Sequence, residues 1–173
     1  MGCGCGCDDN GSNESKEVKY SECPKCGSTA KSVPDAVLNS LVKKELKKQI
    51  LENDYYICLN PDCENVYIDE TKKSVFKLED LKKTIWFKEG SEPKIACYCN
   101  NITYEQVKKA VRESDLKDWK DIVLHYKEKA VCMCEKLNPT GECCSDNFYR
   151  IVNKVLVKEG EPPVSSSSGS CCG

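Results

Sequence analysis

The first long periodic pattern along the chain follows Pro34. Between residues 35 and 50, apolar positions recur every three or four residues and are separated by lysines. This spacing predicts one amphipathic helix that is opened by Pro34 and Asp35 and presents its lysines to solvent. The apolar stripe consists of Val37, Leu38, Leu41, Val42, Leu46 and Ile50, and the solvated face consists of Lys43, Lys44, Lys47 and Lys48.

Two runs rich in aromatic and β-branched residues, 55–57 and 66–68, indicate short strands. A pair of cysteines lies between them, so we predict a β-hairpin with that pair at its turn. Further along, Asp80 and Leu81 indicate a short helix, and residues 84–87 indicate a last strand.

From residue 97 onward the pattern becomes helical. Thr103 and Gln106 form a capping box directly before an apolar stripe, which predicts a helix start. Two further helices are predicted over residues 115–129 and 146–158. Cysteines stand immediately before the first and the third of these helices. Because the N-terminus of a helix presents unpaired amides that stabilise negative charge, this placement points to thiolate chemistry.

Composition and charge exclude several classes of function. The chain has 173 residues, of which 39% are hydrophobic, so we expect one domain or two small ones with a modest core. Its 26 basic and 28 acidic residues leave a net charge of −2, which argues against nucleic acid as a partner. No apolar run is long enough to cross a bilayer or resembles a signal peptide, so we expect a cytoplasmic protein without membrane insertion. No hydrolase or nucleotide-binding motif is present.

Fifteen cysteines are the unusual feature of the composition. Their odd number and the missing signal indicate a reducing compartment, where paired cysteines usually bind metals. The one histidine, His125, is interpreted as a partly exposed helical residue, so metal sites must be built from thiolates. Thiolates select soft ions: zinc, iron-sulfur clusters and Cu(I).

Four cysteines in two pairs predict a zinc site. Cys23 and Cys26 frame a Cys-Pro-Lys-Cys-Gly knuckle, and Cys58 and Cys63 frame the turn of the predicted hairpin. Four thiolates suit tetrahedral zinc, and because they leave no open position, the ion would be structural. The alternative is a set of free thiols or a disulfide.

A second set of six cysteines lies in the helical block and predicts an iron-sulfur site. A Cys-x-Cys turn opens the block and four more cysteines precede its last helix; the six are Cys97, Cys99, Cys132, Cys134, Cys143 and Cys144. The two thiols of the turn can bind one iron of a [2Fe-2S] cluster, and a later pair the other. Six thiols for four positions leave the later ligands open. A second zinc site is the alternative for the whole set.

These motifs resemble those of a known family. Residues 96–111 resemble the opening of the bacterioferritin-associated-ferredoxin-like [2Fe-2S] fold. Together with both zinc knuckles, Tyr67 and the Cys-x-Cys-Glu-x-x-Asn-Pro-x-Gly-x-Cys-Cys run, residues 20–158 resemble the N-terminal domain of CopZ-type copper chaperones. Full-length members carry a C-terminal heavy-metal-associated domain with a Met-x-Cys-x-x-Cys loop, which we do not expect in this chain.

The resemblance implies a zinc site, a [2Fe-2S] cluster and a role in copper handling that includes reduction of Cu(II) to Cu(I). It implies that Cys97 and Cys99 bind one iron and that Cys134 and Cys144 bind the other. Cys132 and Cys143 then remain as substitute ligands, and either is a free thiol, a group that supports the ligands or half of a mutual disulfide.

Further cysteines lie near both ends of the chain and are candidate Cu(I) ligands: Cys3, Cys5, Cys7, Cys171 and Cys172. Glycine and serine surround them, so a flexible backbone can wrap a soft ion there. The alternative is that both ends are unstructured tails whose thiols oxidise.

We therefore expect an α+β protein. A flexible arm (1–20) precedes a zinc-binding hairpin and helix sub-domain (21–92), a helical [2Fe-2S] sub-domain (93–160) and a flexible tail (161–173). The expected function is one-electron transfer in copper handling, with copper ions or a copper-transport protein as partners. A ferredoxin-like adaptor that serves a redox partner protein or iron traffic, without copper, is the alternative. A purely structural two-zinc module is a third interpretation.

Overall fold

A computed structural model describes residues 17–165 and shows a mixed α+β protein. Its first half is an antiparallel sheet whose five strands are neighbours in chain order. The strands are β1 Tyr20–Glu22, β2 Thr29–Val33, β3 Tyr55–Cys58, β4 Asn65–Asp69 and β5 Val75–Lys77. Helix α1, Asp35–Leu41, and a 3-10 helix, Lys44–Gln49, connect β2 to β3, and a 3-10 turn, Leu78–Asp80, follows β5.

The single helix predicted over residues 35–50 is wrong, because α1 ends at Leu41. Val42 adopts an extended conformation, is fully buried and forms an isolated β-bridge with Leu81. The amide of Lys43 donates to the carbonyl of Asp80 at 2.9 Å. These contacts with a segment almost 40 positions away outweigh the local helical preference, and the chain resumes only as a 3-10 helix.

The predicted hairpin is confirmed: β3 and β4 pair with Tyr56 opposite Ile68 and Ile57 opposite Tyr67. The strand predicted over residues 84–87 is wrong, because those residues form an irregular stretch and a turn outside the sheet. Ile85 is nonetheless fully buried in the core of this half. The apolar residues at 84–87 therefore indicated burial correctly, but not strand pairing.

The second half is mainly helical. As far as residue 165, where the described part of the chain ends, it contains a two-stranded ribbon, β6 Ile95–Cys97 with β7 Ile102–Thr103, and four helices. The helices are α2 Tyr104–Ser114, α3 Trp119–Tyr126, α4 Cys134–Leu137 and α5 Ser145–Lys158. A second core lies between them and includes Ile102, Val107, Ile122, Phe148 and Val152.

The capping box is confirmed: the Gln106 amide donates to Thr103 Oγ1, and the Thr103 amide donates to Gln106 Oε1. The helix predicted over residues 115–129 is shorter than expected. Asp115 is the left-handed C-cap of α2, and α3 begins only after Asp118, whose carboxylate accepts from the Lys120 amide at 2.8 Å.

The two halves pack directly against each other. Gly141, in the loop between α4 and α5, lies so close to Pro34 that a Cβ at residue 141 would meet Pro34 Cδ at 2.6 Å. Lys31 and Glu142 form an ion pair across the same boundary. Among the described residues, no helix combines the length and the apolar character needed to cross a membrane.

Candidate metal centres

The first group of thiols lies at two turns on one side of the five-stranded sheet. Cys23 and Cys26 belong to the turn between β1 and β2, and Cys58 and Cys63 flank the turn between β3 and β4. Gly27 closes the first turn with φ of +68° and donates its amide to the Cys23 carbonyl at 2.8 Å. Glycine adopts this conformation at little cost, which allows the tight turn.

The four sulfurs form a compact set. The Cys23 and Cys63 sulfurs are 3.8 Å apart, those of Cys26 and Cys58 are 3.7 Å apart, and all four lie within 4.8 Å of one another. With Zn–S bonds of about 2.3 Å, the corners of a tetrahedron lie about 3.8 Å apart. These separations therefore fit a tetrahedral zinc ion, and they far exceed the disulfide bond length of about 2.05 Å.

The surroundings of this group lower the pKa of one thiol and raise the pKa of two others. Hydrogen bonds from the side chain and the amide of Ser28 lower the pKa of the exposed Cys26 to about 6. Burial raises the pKa of Cys58 to about 12 and also raises the pKa of Cys63. The buried thiols therefore need a cation beside them to ionise at neutral pH, which a bound metal ion supplies.

The second group of thiols lies where the β6–β7 ribbon meets two helix starts. Cys97 ends β6, Cys99 lies in the following turn, Cys134 begins α4, and Cys144 is the N-cap of α5. The Cys134 sulfur is 3.5 Å from that of Cys99 and 3.8 Å from that of Cys144. The Cys97 thiol is within hydrogen-bonding reach of Cys144 and Cys99. The four sulfurs therefore form a ring in which each contacts two others.

This ring is wider than the first group. Among residues 17–165, the set at Cys23, Cys26, Cys58 and Cys63 is the one group of metal-ligating side chains whose ligand atoms all lie within 4.8 Å of one another. Four cysteine thiolates are the ligand set of a [2Fe-2S] cluster and also of a tetrahedral zinc ion, so the ring offers ligands suited to either.

Two donors that the sequence patterns did not reveal point at the ring. The Asn100 side-chain amide donates to the Cys97 sulfur at 3.2 Å, and the Met133 main-chain amide donates to the Cys99 sulfur at 3.2 Å. Helix α2 begins only after β7. The donors to the Cys97 and Cys99 sulfurs are therefore Asn100 and Met133 instead of the first amides of α2. Asn100 also bonds the Val131 carbonyl at 2.8 Å, which joins the two chain segments of the ring.

Hydrogen bonding shifts the pKa values of the two thiols of the Cys-x-Cys turn in opposite directions. Bonds with Cys144 and Cys99, together with those from Asn100, lower the pKa of Cys97 to about 3. Hydrogen bonding with Cys134 and Cys97, together with burial, raises the pKa of Cys99. Cys97, the thiol of this pair whose pKa is lowered, is fully buried.

The remaining predicted residues lie outside these groups. Cys143 is half-buried with its sulfur 3.3 Å from the Ser145 hydroxyl, and Cys132 packs at the edge of the second core. His125 is an exposed residue of α3, which confirms its interpretation as an ordinary helical histidine. The candidate copper ligands lie outside the described residues; they are Cys3, Cys5, Cys7, Cys171 and Cys172.

Comparison with known proteins adds three findings. A zinc binding domain family matches residues 20–82. The copper chaperone CopZ of Archaeoglobus fulgidus is 32% identical over 129 residues, which are 75% of this chain and 60% of that protein, so the chain spans less than two thirds of this relative. The X-ray structure of the A. fulgidus CopZ N-terminal domain superimposes with a TM-score of 0.59 at 30% identity, over 82% of this chain and 99% of that domain.

Proposed function

This chain belongs to the CopZ family as a counterpart of its N-terminal domain, and we propose that it is a zinc- and [2Fe-2S]-containing redox protein that reduces Cu(II) to Cu(I). The observation that carries the redox part is the ring of four thiols at Cys97, Cys99, Cys134 and Cys144. Copper as substrate, and a copper-transport protein as partner, follow from the name of the A. fulgidus relative.

Zinc is assigned to the first group. Cys23, Cys26, Cys58 and Cys63 would hold it in a closed tetrahedron whose edges agree with the observed sulfur separations. With all four positions taken by thiolates, the ion stabilises the turns of the sheet and activates no water. Cys23→Ser should lower zinc from one ion per chain to none and reduce solubility. A soluble, native-like, zinc-free Cys23→Ser variant would contradict this assignment.

The [2Fe-2S] cluster is assigned to the ring. When bound, it supplies one electron at a time, which is the stoichiometry that Cu(II) requires to become Cu(I). The protein's own part is to hold thiolate charge: the Asn100 side chain donates to Cys97, and the Met133 amide donates to Cys99. Such donors stabilise the more negative, reduced state.

Solvent reaches the ring from one side. Cys99 is half-buried, whereas Cys97, Cys134 and Cys144 are buried. Met133, whose main-chain amide donates to the Cys99 sulfur, is 44% exposed. A copper ion would approach here, where the Met133 thioether is a soft ligand suited to Cu(I). The cysteines near the two chain ends would hold the product ion; they are Cys3, Cys5, Cys7, Cys171 and Cys172.

The test begins with iron, acid-labile sulfide and zinc measured on protein purified without oxygen. Two irons, two sulfides and one zinc per chain are expected. The dithionite-reduced protein, freed of excess reductant, should then be reoxidised by Cu(II), with one Cu(I) captured by bathocuproine for each cluster oxidised. Colourless protein with about two zinc ions per chain would refute the redox function. Reoxidation by an added ferredoxin partner but not by Cu(II) would favour the adaptor function instead.

A further inference from the structure

Lys88 is a lysine with no solvent-exposed surface, although it lies in the irregular segment between the sheet and β6. Its Nζ donates three hydrogen bonds, to the main-chain carbonyls of Asn60 at 2.7 Å, Cys63 at 3.0 Å and Asn65 at 2.9 Å. All three carbonyls belong to the turn that carries the second zinc knuckle. Among the described residues, no carboxylate forms an ion pair with Lys88.

The geometry identifies the charged form of this side chain. An ammonium group has three N–H donors, and the three carbonyls accept one each; a neutral amine would leave one carbonyl without a donor. A buried charge without a counter-ion is strongly destabilising, so the ammonium group needs a compensating negative charge nearby.

The zinc centre supplies that negative charge. One divalent ion bound by four thiolates carries a net double negative charge, and two of the thiols, Cys58 and Cys63, flank the turn that Lys88 clamps. Lys88 Nζ lies 3.0 Å from the main-chain carbonyl of Cys63, so the cation contacts one of the ligand residues directly. The buried cation and the thiolates of the centre thus stabilise each other.

We propose that Lys88 is a positioning residue of the zinc centre: its ammonium group is the internal counter-cation of the zinc tetrathiolate and fixes the turn that presents Cys58 and Cys63 to the ion. The inference rests on the zinc assignment proposed above. It adds a residue that lies six positions beyond the matched zinc binding domain, which ends at residue 82. No cysteine motif could have indicated it.

The test uses the full chain loaded with zinc. Lys88→Met keeps the length of the side chain and removes its charge. Zinc transfer to the chromogenic chelator PAR is measured across a pH series, while circular dichroism monitors folding. We expect zinc affinity to fall about 10- to 100-fold, as for other residues that support metal ligands. We also expect zinc loss at a higher pH, because protons compete better for thiolates that lack a neighbouring cation.

Lys77→Met is the matched control. Lys77 lies on β5 of the same sheet, but its side chain is 43% exposed and pairs with Glu64 at 2.9 Å. Its replacement should leave both the zinc affinity and the pH of zinc loss unchanged. A purely structural role for Lys88 would destabilise the fold without moving the pH of zinc loss from the zinc-loaded state.

Lys88→Arg covers the case in which Lys88→Met does not fold. Arginine retains the charge, so this variant should keep its zinc at the wild-type pH. Either Lys88→Met with wild-type affinity and pH of loss, or a folded Lys88→Arg that releases zinc at a higher pH, would overturn the proposal while leaving the zinc assignment intact. A wild-type chain that binds no zinc would instead overturn the zinc assignment itself.

Discussion

The hydroxyl group of Tyr67 donates a hydrogen bond of 2.9 Å to the main-chain carbonyl of Pro139. Tyr67 is fully buried on β4, the strand that follows the second zinc knuckle. Pro139 is also buried and lies in the loop between Cys134 and Cys144. A side chain of the sheet therefore directly supports the loop that spaces two thiols of the proposed cluster site.

Tyr67→Phe should weaken this support. The substitution removes the hydroxyl and leaves the buried Pro139 carbonyl without its partner, which costs about 1–3 kcal/mol of unfolding free energy. Urea unfolding measures the loss, and the rate of bleaching of the visible absorption under an iron chelator should rise. Tyr20→Phe is the control, because Tyr20 is 64% exposed and should change neither quantity. Equal stability of the two variants would exclude a role for the hydrogen bond.

Gly141→Ala should destabilise the protein more than Gly90→Ala. Both glycines have positive φ, +72° and +70°, so alanine carries a similar backbone cost of about 1–2 kcal/mol at each. At residue 141 the added Cβ would also meet Pro34 Cδ at 2.6 Å, whereas at residue 90 nothing lies within 4 Å. The difference between the variants in thermal or urea unfolding, expected to be about 1–3 kcal/mol, isolates the contact between the two halves. Equal unfolding free energies of the two variants would mean that Pro34 moves away from the added methyl group at little cost.

Cys134→Ser and Cys143→Ser should behave differently. Loss of the Cys134 sulfur breaks the ring through its contacts with Cys99 and Cys144, so iron and visible absorption should fall to near zero. Cys143→Ser should retain about two irons per chain, because the four assigned ligands remain. Iron analysis and the visible spectrum provide the measurement. The opposite result would make Cys143 a ligand in place of Cys134.

Asp69→Asn should destabilise the β4–β5 turn at neutral pH. Burial acts to raise the pKa of Asp69, but hydrogen bonds from Thr71, Ser74 and Asn53 outweigh it and hold the pKa below its usual value. A depressed folded-state pKa contributes stability above the unfolded value of about 3.9 and loses it as pH falls through the folded value.

The wild-type protein should therefore exceed Asp69→Asn by about 1–3 kcal/mol at neutral pH, and the gap should shrink below about pH 4. Urea midpoints of both proteins, compared at the same zinc content, measure it. Asp121→Asn, at an exposed position on α3, should show no such gap. A gap at Asp69 that is independent of pH would mean that the carboxylate charge contributes nothing.

Local patterns in the sequence predicted the elements whose causes are local. The hairpin of β3 and β4 follows from two aromatic and β-branched runs around a turn, and the start of α2 follows from the Thr103 and Gln106 capping box. The first group of thiols was also predictable, because each knuckle is a short turn whose residues are contiguous.

The features that the sequence did not predict arise from contacts between distant segments. Val42 leaves the helical pattern because it bridges Leu81, and Ile85 is buried in a turn because the sheet core needs an apolar side chain there. Lys88 and Asn100 resemble ordinary polar residues in sequence, and their roles depend on which carbonyls and sulfurs the fold brings to them. A periodic pattern in the sequence does not predict such contacts between distant residues.

The segment between residues 83 and 88 serves both halves of the molecule. Tyr98, between two thiols of the ring, donates its hydroxyl to the Thr84 carbonyl at 2.7 Å and accepts from the Trp86 amide at 3.1 Å. A few positions on, Lys88 donates to three carbonyls at the turn that carries Cys58 and Cys63. Recombination that transferred either cysteine-bearing half alone would separate Lys88 from its carbonyls or Tyr98 from its partners. The two halves should therefore be inherited as one unit. A natural or engineered exchange should give a folded protein only when residues 83–88 are transferred together with the residues that they contact in both halves.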